Sequence, residues 1–159
     1  MSSRRSGSGF CLCPAAGQGR DGVADIFSKK RRSEIMSGIK GSDTEPEIVV
    51  RRLLHSMGYR FRLHGKALPG KPDIVLSRHR KAIFVHGCFW HGHPGCKRAK
   101  LPGSNRDFWQ AKIQGNSERD KRNQDKLDAL GWKVFVLWSC EVRKLDILRK
   151  HLKGFMDGA

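Results

Sequence analysis

The chain has 159 residues, with 32 Lys plus Arg against 15 Asp plus Glu, a formal net charge of +17. Hydrophobic residues at 38%, together with 18 Gly, supply enough apolar material for one ordinary core, so the charge rides on a folding chain and not on a disordered polycation. The longest apolar run, Val134 to Trp138, is far shorter than the ~20 residues of a membrane span, which excludes a membrane-spanning helix as its basis and points to an acidic partner, nucleic acid first.

Residues 1–22 are rich in Ser, Gly and Arg and carry no periodicity, which reads as a disordered N-terminal extension. The five Cys are an odd number without the spread of a disulfide framework, and a reducing cytoplasm suits them. Cys11 and Cys13 fall in the extension and are given no metal role. A helix is expected over Ser28 to Ile39, with Gly41 as its stop. A second helix follows, capped by Ser42 or Asp43, with Pro46 in its first turn. Val49, Val50, Leu53, Leu54 and Met57 form its apolar face, and Gly58 ends it. Three strands are expected at Tyr59 to His64, Pro72 to Ser77 and Lys81 to His86, the last two joined by the basic turn Arg78-His79-Arg80. Residues 87–105 form a long aperiodic loop, which in a compact domain is functional or cross-linked. Helices over Arg106 to Gln114 and Asn116 to Leu130, a buried strand at Lys133 to Trp138 and a helix over Val142 to Phe155 complete a single mixed α/β domain with helices packed on a sheet.

The loop holds Cys88-x4-His93-x2-Cys96, donors suited to tetrahedral Zn²⁺. Cys140 directly follows the strand ending near Ser139. If that strand lies beside Lys81 to His86, Cys88, His93, Cys96 and Cys140 converge as a closed structural site that fastens the loop. The alternative is a set of free buried cysteines.

Asp73 opens a strand after Pro69-Gly70-Lys71-Pro72 and is a natural ligand for a divalent cation of the kind phosphodiester hydrolysis uses. Taken alone, it also reads as a solvated strand-edge carboxylate. His86, at the end of the next strand, can lie close to it. His91 is a candidate general base or acid, and Glu47 a further candidate acid. Phe89 and Trp90 admit two readings: packing into the core, which the residues alone favour, or insertion into a base stack. Trp109, Trp132 and Trp138 are the better core candidates.

The segments Pro69 to Val75, Ile83 to His91 and Gly131-Trp132 to Cys140 resemble the very short patch repair (Vsr) DNA mismatch endonucleases of bacteria. Arg32-Ser33 to Met36, Asp43-Thr44 and Glu118-Arg119-Asp120 extend the likeness. It runs from about residue 23 to the C-terminus, about 86% of the chain, and the block Val85 to His91 is its most specific part. The resemblance implies a restriction-endonuclease-like α/β fold with one structural zinc over residues 23–159. It implies a Mg²⁺-dependent nick on the 5′ side of the mispaired T in a T:G mismatch, the product of 5-methylcytosine deamination. By the same resemblance Asp73 and the backbone carbonyl of Val85 bind Mg²⁺, His91 is the general base, His86 supports the phosphate, and Glu47 assists. Phe89 and Trp90 become an intercalating wedge, met from the other side by Met36. The implied partners are mismatched double-stranded DNA, mismatch-repair factors and a cytosine methyltransferase system, for a monomer in the bacterial cytoplasm, associated with the nucleoid. The zinc loop departs from some relatives over His91 to Cys96, which makes His91 a competing imidazole for the zinc. Residues 1–22 have no family counterpart, and the natural start is expected near Val23. The rivals are an endonuclease of different mismatch scope and a zinc-stabilised DNA-binding module without catalysis.

Overall fold

A computed structural model describes residues 30, 31, 34, 38 and 41–158. The expectations for residues 1–22, for the cap and most of the helix over 28–39, and for Met36 lie outside the described residues.

Helix α1 spans Glu45–Ser56, with Pro46 in its first turn and Gly58 (φ +85) just past its end. Its cap is Thr44, not Ser42 or Asp43. Thr44 is extended and both its N–H and its Oγ1 hydroxyl donate to Glu47, at 3.4 and 2.8 Å. Asp43 instead sits at φ +56, which does not suit a cap. Val50, Leu53 and Leu54 bury the helix on the core, as the spacing requires.

Four strands follow: β1 (Arg62–Leu63), β2 (Ile74–Leu76), β3 (Lys81–His86) and β4 (Lys133–Trp138). They lie in that order, β1–β2–β3 antiparallel and β3–β4 parallel. The hairpin turn is a short 3₁₀ segment, Ser77–His79, closed by Arg80 at φ +49. β1 and β2 are shorter than the sequence suggests. The N–H of Tyr59 is held by the carbonyl of Leu54 at the end of α1, and His64 leaves the extended form at φ +50, so beyond Leu63 only the His64 and Gly65 N–H groups, donating to the Asp73 and Pro72 carbonyls, carry the pairing on. Helix α2 (Arg106–Ala129) carries the crossover to β4 as one helix of 24 residues, where the sequence suggests two. Gly115 does not break it: a mid-helix Gly costs only about 1 kcal/mol against Ala, too little to end a helix with strong formers on both sides. β4 is half-buried rather than buried, because it lies at an edge of the sheet; only Leu137 is fully covered. The last helix expected begins as a 3₁₀ turn, Glu141–Arg143, and continues as α3 (Leu145–Asp157), which buries Leu148, Leu152 and Met156 at helical spacing.

Alternation along β3 sorts the core into two layers. Ile83 packs with Val50, Leu54, Leu148 and Leu152, from α1 and α3. Ala82 and Phe84 point the other way and meet Leu127 of α2, with Trp132 partly buried beside them. Trp109, Trp132 and Trp138 are all half-buried, so the buried core is made of aliphatic residues with Phe84 where the sequence suggests tryptophans. Lys81 is buried, and its Nζ donates to the carbonyls of Phe155, Met156 and Gly158 at 2.8, 2.9 and 2.7 Å. One ammonium thus takes up the unpaired carbonyls at the end of α3, where the helix dipole favours a cation. Among the described residues no helix is long and apolar enough to cross a membrane.

Candidate active site and metal cluster

The parallel pairing puts His86 opposite Trp138, so the loop after β3 and the turn after β4 leave the sheet together. Beside this end lies a cleft of about 500 Å³, lined by Glu47, Asp73, Val85, His86, His91 and Asp120 among others. Asp73 is half-buried, and its Oδ2 accepts the Val85 N–H at 2.8 Å. Among the described residues nothing donates to its other oxygen. Burial, with the nearby Glu47 carboxylate adding to it, pushes the Asp73 carboxyl above the usual range despite the Val85 bond. A carboxylate so placed gains from a cation. In a strand the N–H and C=O of one residue point to the same side, so the Val85 carbonyl faces the edge from which Asp73 reaches. Glu47 is buried and heavily engaged: the Asp43 N–H, Thr44 and the Arg51 guanidinium (2.8 Å) all donate to it.

His91 Nδ1 is hydrogen-bonded to Asp120 Oδ2. Burial alone would raise the Asp120 carboxyl, but the bond and the charge of His91 outweigh it and hold Asp120 below its ordinary value. The His91 ring stacks on His86, with centroids 3.9 Å apart and planes 10° from parallel. His86 is buried, and that burial, with His91 beside it, lowers its pKa to about 4, so it is neutral at physiological pH. The donor atoms of His86, His91 and Asp120 lie within 4.8 Å of one another.

Cys88, His93, Cys96 and Cys140 form a separate cluster, also within 4.8 Å. Cys140 Sγ is 3.4 Å from His93 Nδ1, and Cys88 Sγ is 3.2 Å from the Ser139 hydroxyl. The loop is folded to make this possible: the N–H of His93 donates to the Cys88 carbonyl at 2.9 Å, and that of Cys96 to the His93 carbonyl. His93 stacks on Trp138 at 4.2 Å, and its burial lowers its pKa and keeps the imidazole in the ligating neutral form. Burial would raise the Cys88 thiol, but hydrogen bonds from Ser139 and Cys140 hold it below its usual value. Burial and the neighbouring Cys88 push Cys140 up to about 12. Three thiols this close cannot all ionise unaided, and a dication removes that conflict. The donor set, three sulfurs and one imidazole, fits a tetrahedral Zn²⁺. Gly92 separates the two histidines. It sits at φ +63, and a Cβ there would lie 2.8 Å from Ile113 of α2. That turn sends His93 to the cysteines and leaves His91 with Asp120, so His91 is not in the four-donor cluster.

Phe89 and Trp90 are half-buried, not core. With Trp109 they form a cluster of edge-to-face rings, centroids 5.3 to 6.0 Å apart. Asn116 of α2 donates to the Trp90 carbonyl at 2.9 Å. The cluster therefore stands on the cysteine-bound loop and on α2. The sequence reading assigns no role to Asp120 or Trp109 at this site. The only signal for Asp120 is its place in Glu118-Arg119-Asp120, since nothing in its spacing ties it to a loop about thirty residues earlier.

The family profile described as DNA mismatch endonuclease Vsr matches residues 24–98. The chain is 49% identical over 135 residues to the type II nicking enzyme V.XorIIP of Xanthomonas oryzae pv. oryzae, covering 85% of this chain and 98% of that protein. It is 45% identical over 130 residues to the type II nicking enzyme V.NmeAIP of Neisseria meningitidis, covering 82% and 92%. It is 42% identical over 121 residues to the DNA mismatch endonuclease Vsr of Escherichia coli, covering 76% and 77%.

Proposed function

Since the chain belongs to the Vsr family of DNA mismatch endonucleases, we propose that it nicks one strand of a duplex on the 5′ side of the mispaired T in a T:G mismatch. The sheet, with Asp73 at its end, is read as the restriction-endonuclease-like arrangement. The observation that carries the reading is the meeting of a half-buried carboxylate, Asp73, with one oxygen unbonded among the described residues, and a hydrogen-bonded His–Asp pair, His91–Asp120, in one cleft.

His91 has Nδ1 engaged by Asp120, which leaves Nε2 to take the proton of the attacking water. Asp120 fixes the tautomer and stabilises the imidazolium that forms, acting as a positioning residue. As the water oxygen bonds to phosphorus, the bond from phosphorus to the 3′ oxygen of the preceding nucleotide breaks; that oxygen leaves with the electron pair and takes a proton from solvent, so the nick has a 3′-hydroxyl and a 5′-phosphate. His86 is neutral here, so it orients His91 by stacking and offers a ring nitrogen to the phosphate without adding a charge. Glu47 holds Thr44 and Arg51, and so keeps the start of α1 in place as one wall of the cleft. Mg²⁺ held by Asp73 and the Val85 carbonyl supplies neutralisation of the phosphate charge when bound. Zn²⁺ held by Cys88, His93, Cys96 and Cys140 is structural. Phe89 and Trp90 enter the base stack at the mismatch, where unstacking is cheapest. Such mismatches follow cytosine methylation and deamination, so a cytosine methyltransferase system and mismatch-repair factors are the natural partners of this activity.

The test is nicking, with Mg²⁺, of matched, T:G, G:G and T:T duplexes and of a single strand. The expected result is a nick in T:G alone. Asp73→Ala is expected to bind the T:G duplex and leave it intact. Cutting of single strands with an intact T:G duplex overturns the proposal.

A further inference from the structure

Between residues 48 and 106 the chain holds 13 Lys or Arg and one acid, Asp73. Several of these cations are committed. Arg51 pairs with Glu47 and Asp43, Arg80 donates to the Leu130 carbonyl, and Lys81 clamps α3. Arg52, Arg60, Arg62 and Arg78 are not: all four are exposed, and among the described residues no carboxylate pairs with any of them. They line two shallow depressions that share Phe61. One, of about 200 Å³, is formed by Arg60, Phe61, Arg62, Ser77 and Arg78; the other, of about 400 Å³, has Arg52 and His55 on its wall. Arg60 NH1 and His55 Nε2, 3.1 Å apart, join the two. Neither depression has an acidic residue in its lining. Guanidiniums gathered around one apolar ring repel one another until an anion sits between them, and their fork of donors matches phosphate oxygens.

The position of this strip differs from that of the cleft. Asp73 precedes β2 and Ser77 follows it, so the two mark opposite ends of the strand. Four residues at ~3.3 Å each separate them by roughly 13 Å. We infer that the Arg60–Arg62–Arg78 strip grips backbone phosphates of a nucleic-acid segment other than the one cut at Asp73. The protein then holds two DNA segments briefly at once, and can pass from one to another without full release. This rests on DNA being the substrate.

The experiment measures release of a short fluorescent T:G duplex from the full chain without Mg²⁺, against rising unlabelled matched duplex. The expected result is a release rate that climbs several-fold with competitor for the natural chain and stays flat for Arg60→Ala/Arg62→Ala/Arg78→Ala. A Lys version of the same triple keeps most of the climb. Single-turnover nicking of the short duplex by the Ala triple, with Mg²⁺, is expected to be unchanged, which also reports that it is folded. Competitor-independent release in the natural chain overturns the inference. So does a fall in single-turnover nicking by the Ala triple, which would place these arginines on the cut duplex. Polyglutamate driving release as well as DNA of equal charge would assign the strip to an acidic polypeptide instead. A failure of nicking by the natural chain would count against the proposed function and leave the release result standing.

Discussion

Asp120 and His91 come from different elements, a helix and a loop 29 residues apart in sequence, and in the proposed mechanism their bond is what directs His91 as the base. Without the carboxylate the ring can rotate or take the other tautomer, and positioned general-base catalysis contributes about 10²–10⁴-fold. Asp120→Asn is therefore expected to lower the single-turnover nicking rate about 10²-fold while leaving T:G duplex affinity near that of the natural chain. The double variant with His91→Gln is expected to be little slower than His91→Gln alone, because the pair works as a unit. Additive losses would show that Asp120 acts elsewhere. Asp73, His86 and His91 were legible as chemical residues because each breaks a local pattern: an acid opening an apolar strand, a histidine closing the next one, and a histidine in an aperiodic loop. Asp120 was not. On a long polar helix one more carboxylate looks like any solvated face, and only the packing of α2 beside the loop gives it a partner.

At the scale of elements, loop 87–105 has little of its own in the core and is fastened by its clustered Cys and His donors and by the half-buried Phe89 and Trp90 rings against Trp109. Cys88 is its only buried hydrophobic residue. If the four-donor cluster holds the proposed zinc, removing it should loosen this loop first and leave β3 and β4 paired. A chelator strong enough to strip zinc is expected to abolish amide protection over 88–96, to change the fluorescence of Trp138 as His93 leaves it, and to spare protection in β3. Cys140→Ser is expected to lower zinc content and stability together, and full zinc retention would remove Cys140 from the site. The Lys81 clamp makes a separate claim. Lys81→Met keeps the stem but removes three charge-assisted hydrogen bonds, partly offset by water at the exposed helix end. A loss of about 2–3 kcal/mol in urea unfolding is expected. The strands β3 and β4 could be placed from their apolar runs alone, and the face of α1 from its spacing. The extent of α2 could not, since Gly115 reads as a stop wherever tertiary packing is unknown. β1 could not either, because its alternating residues lie at an exposed edge and little is buried to fix them.

At the scale of the molecule, the charge sets how tightly DNA is held and says nothing of where it is cut. Residues 1–22 carry Arg4, Arg5 and Arg20 against Asp21, or +2, so 17 − 2 = +15 belongs to residues 23–159. Each phosphate neutralised contributes about 0.9 to the slope of log affinity against log salt. Deleting residues 1–22 is therefore expected to make that slope shallower by at most about 2, on matched and T:G duplexes alike. The ratio of the two affinities should stay flat with salt in both proteins, because rings entering a base stack release no counterions, whereas phosphate grips do. Binding isotherms between about 50 and 200 mM salt check both statements. A larger change in slope would place the extension on DNA through more than its net charge. A salt-dependent ratio would mean that the cations, and not the aromatic cluster on the cysteine-bound loop, distinguish the mismatch.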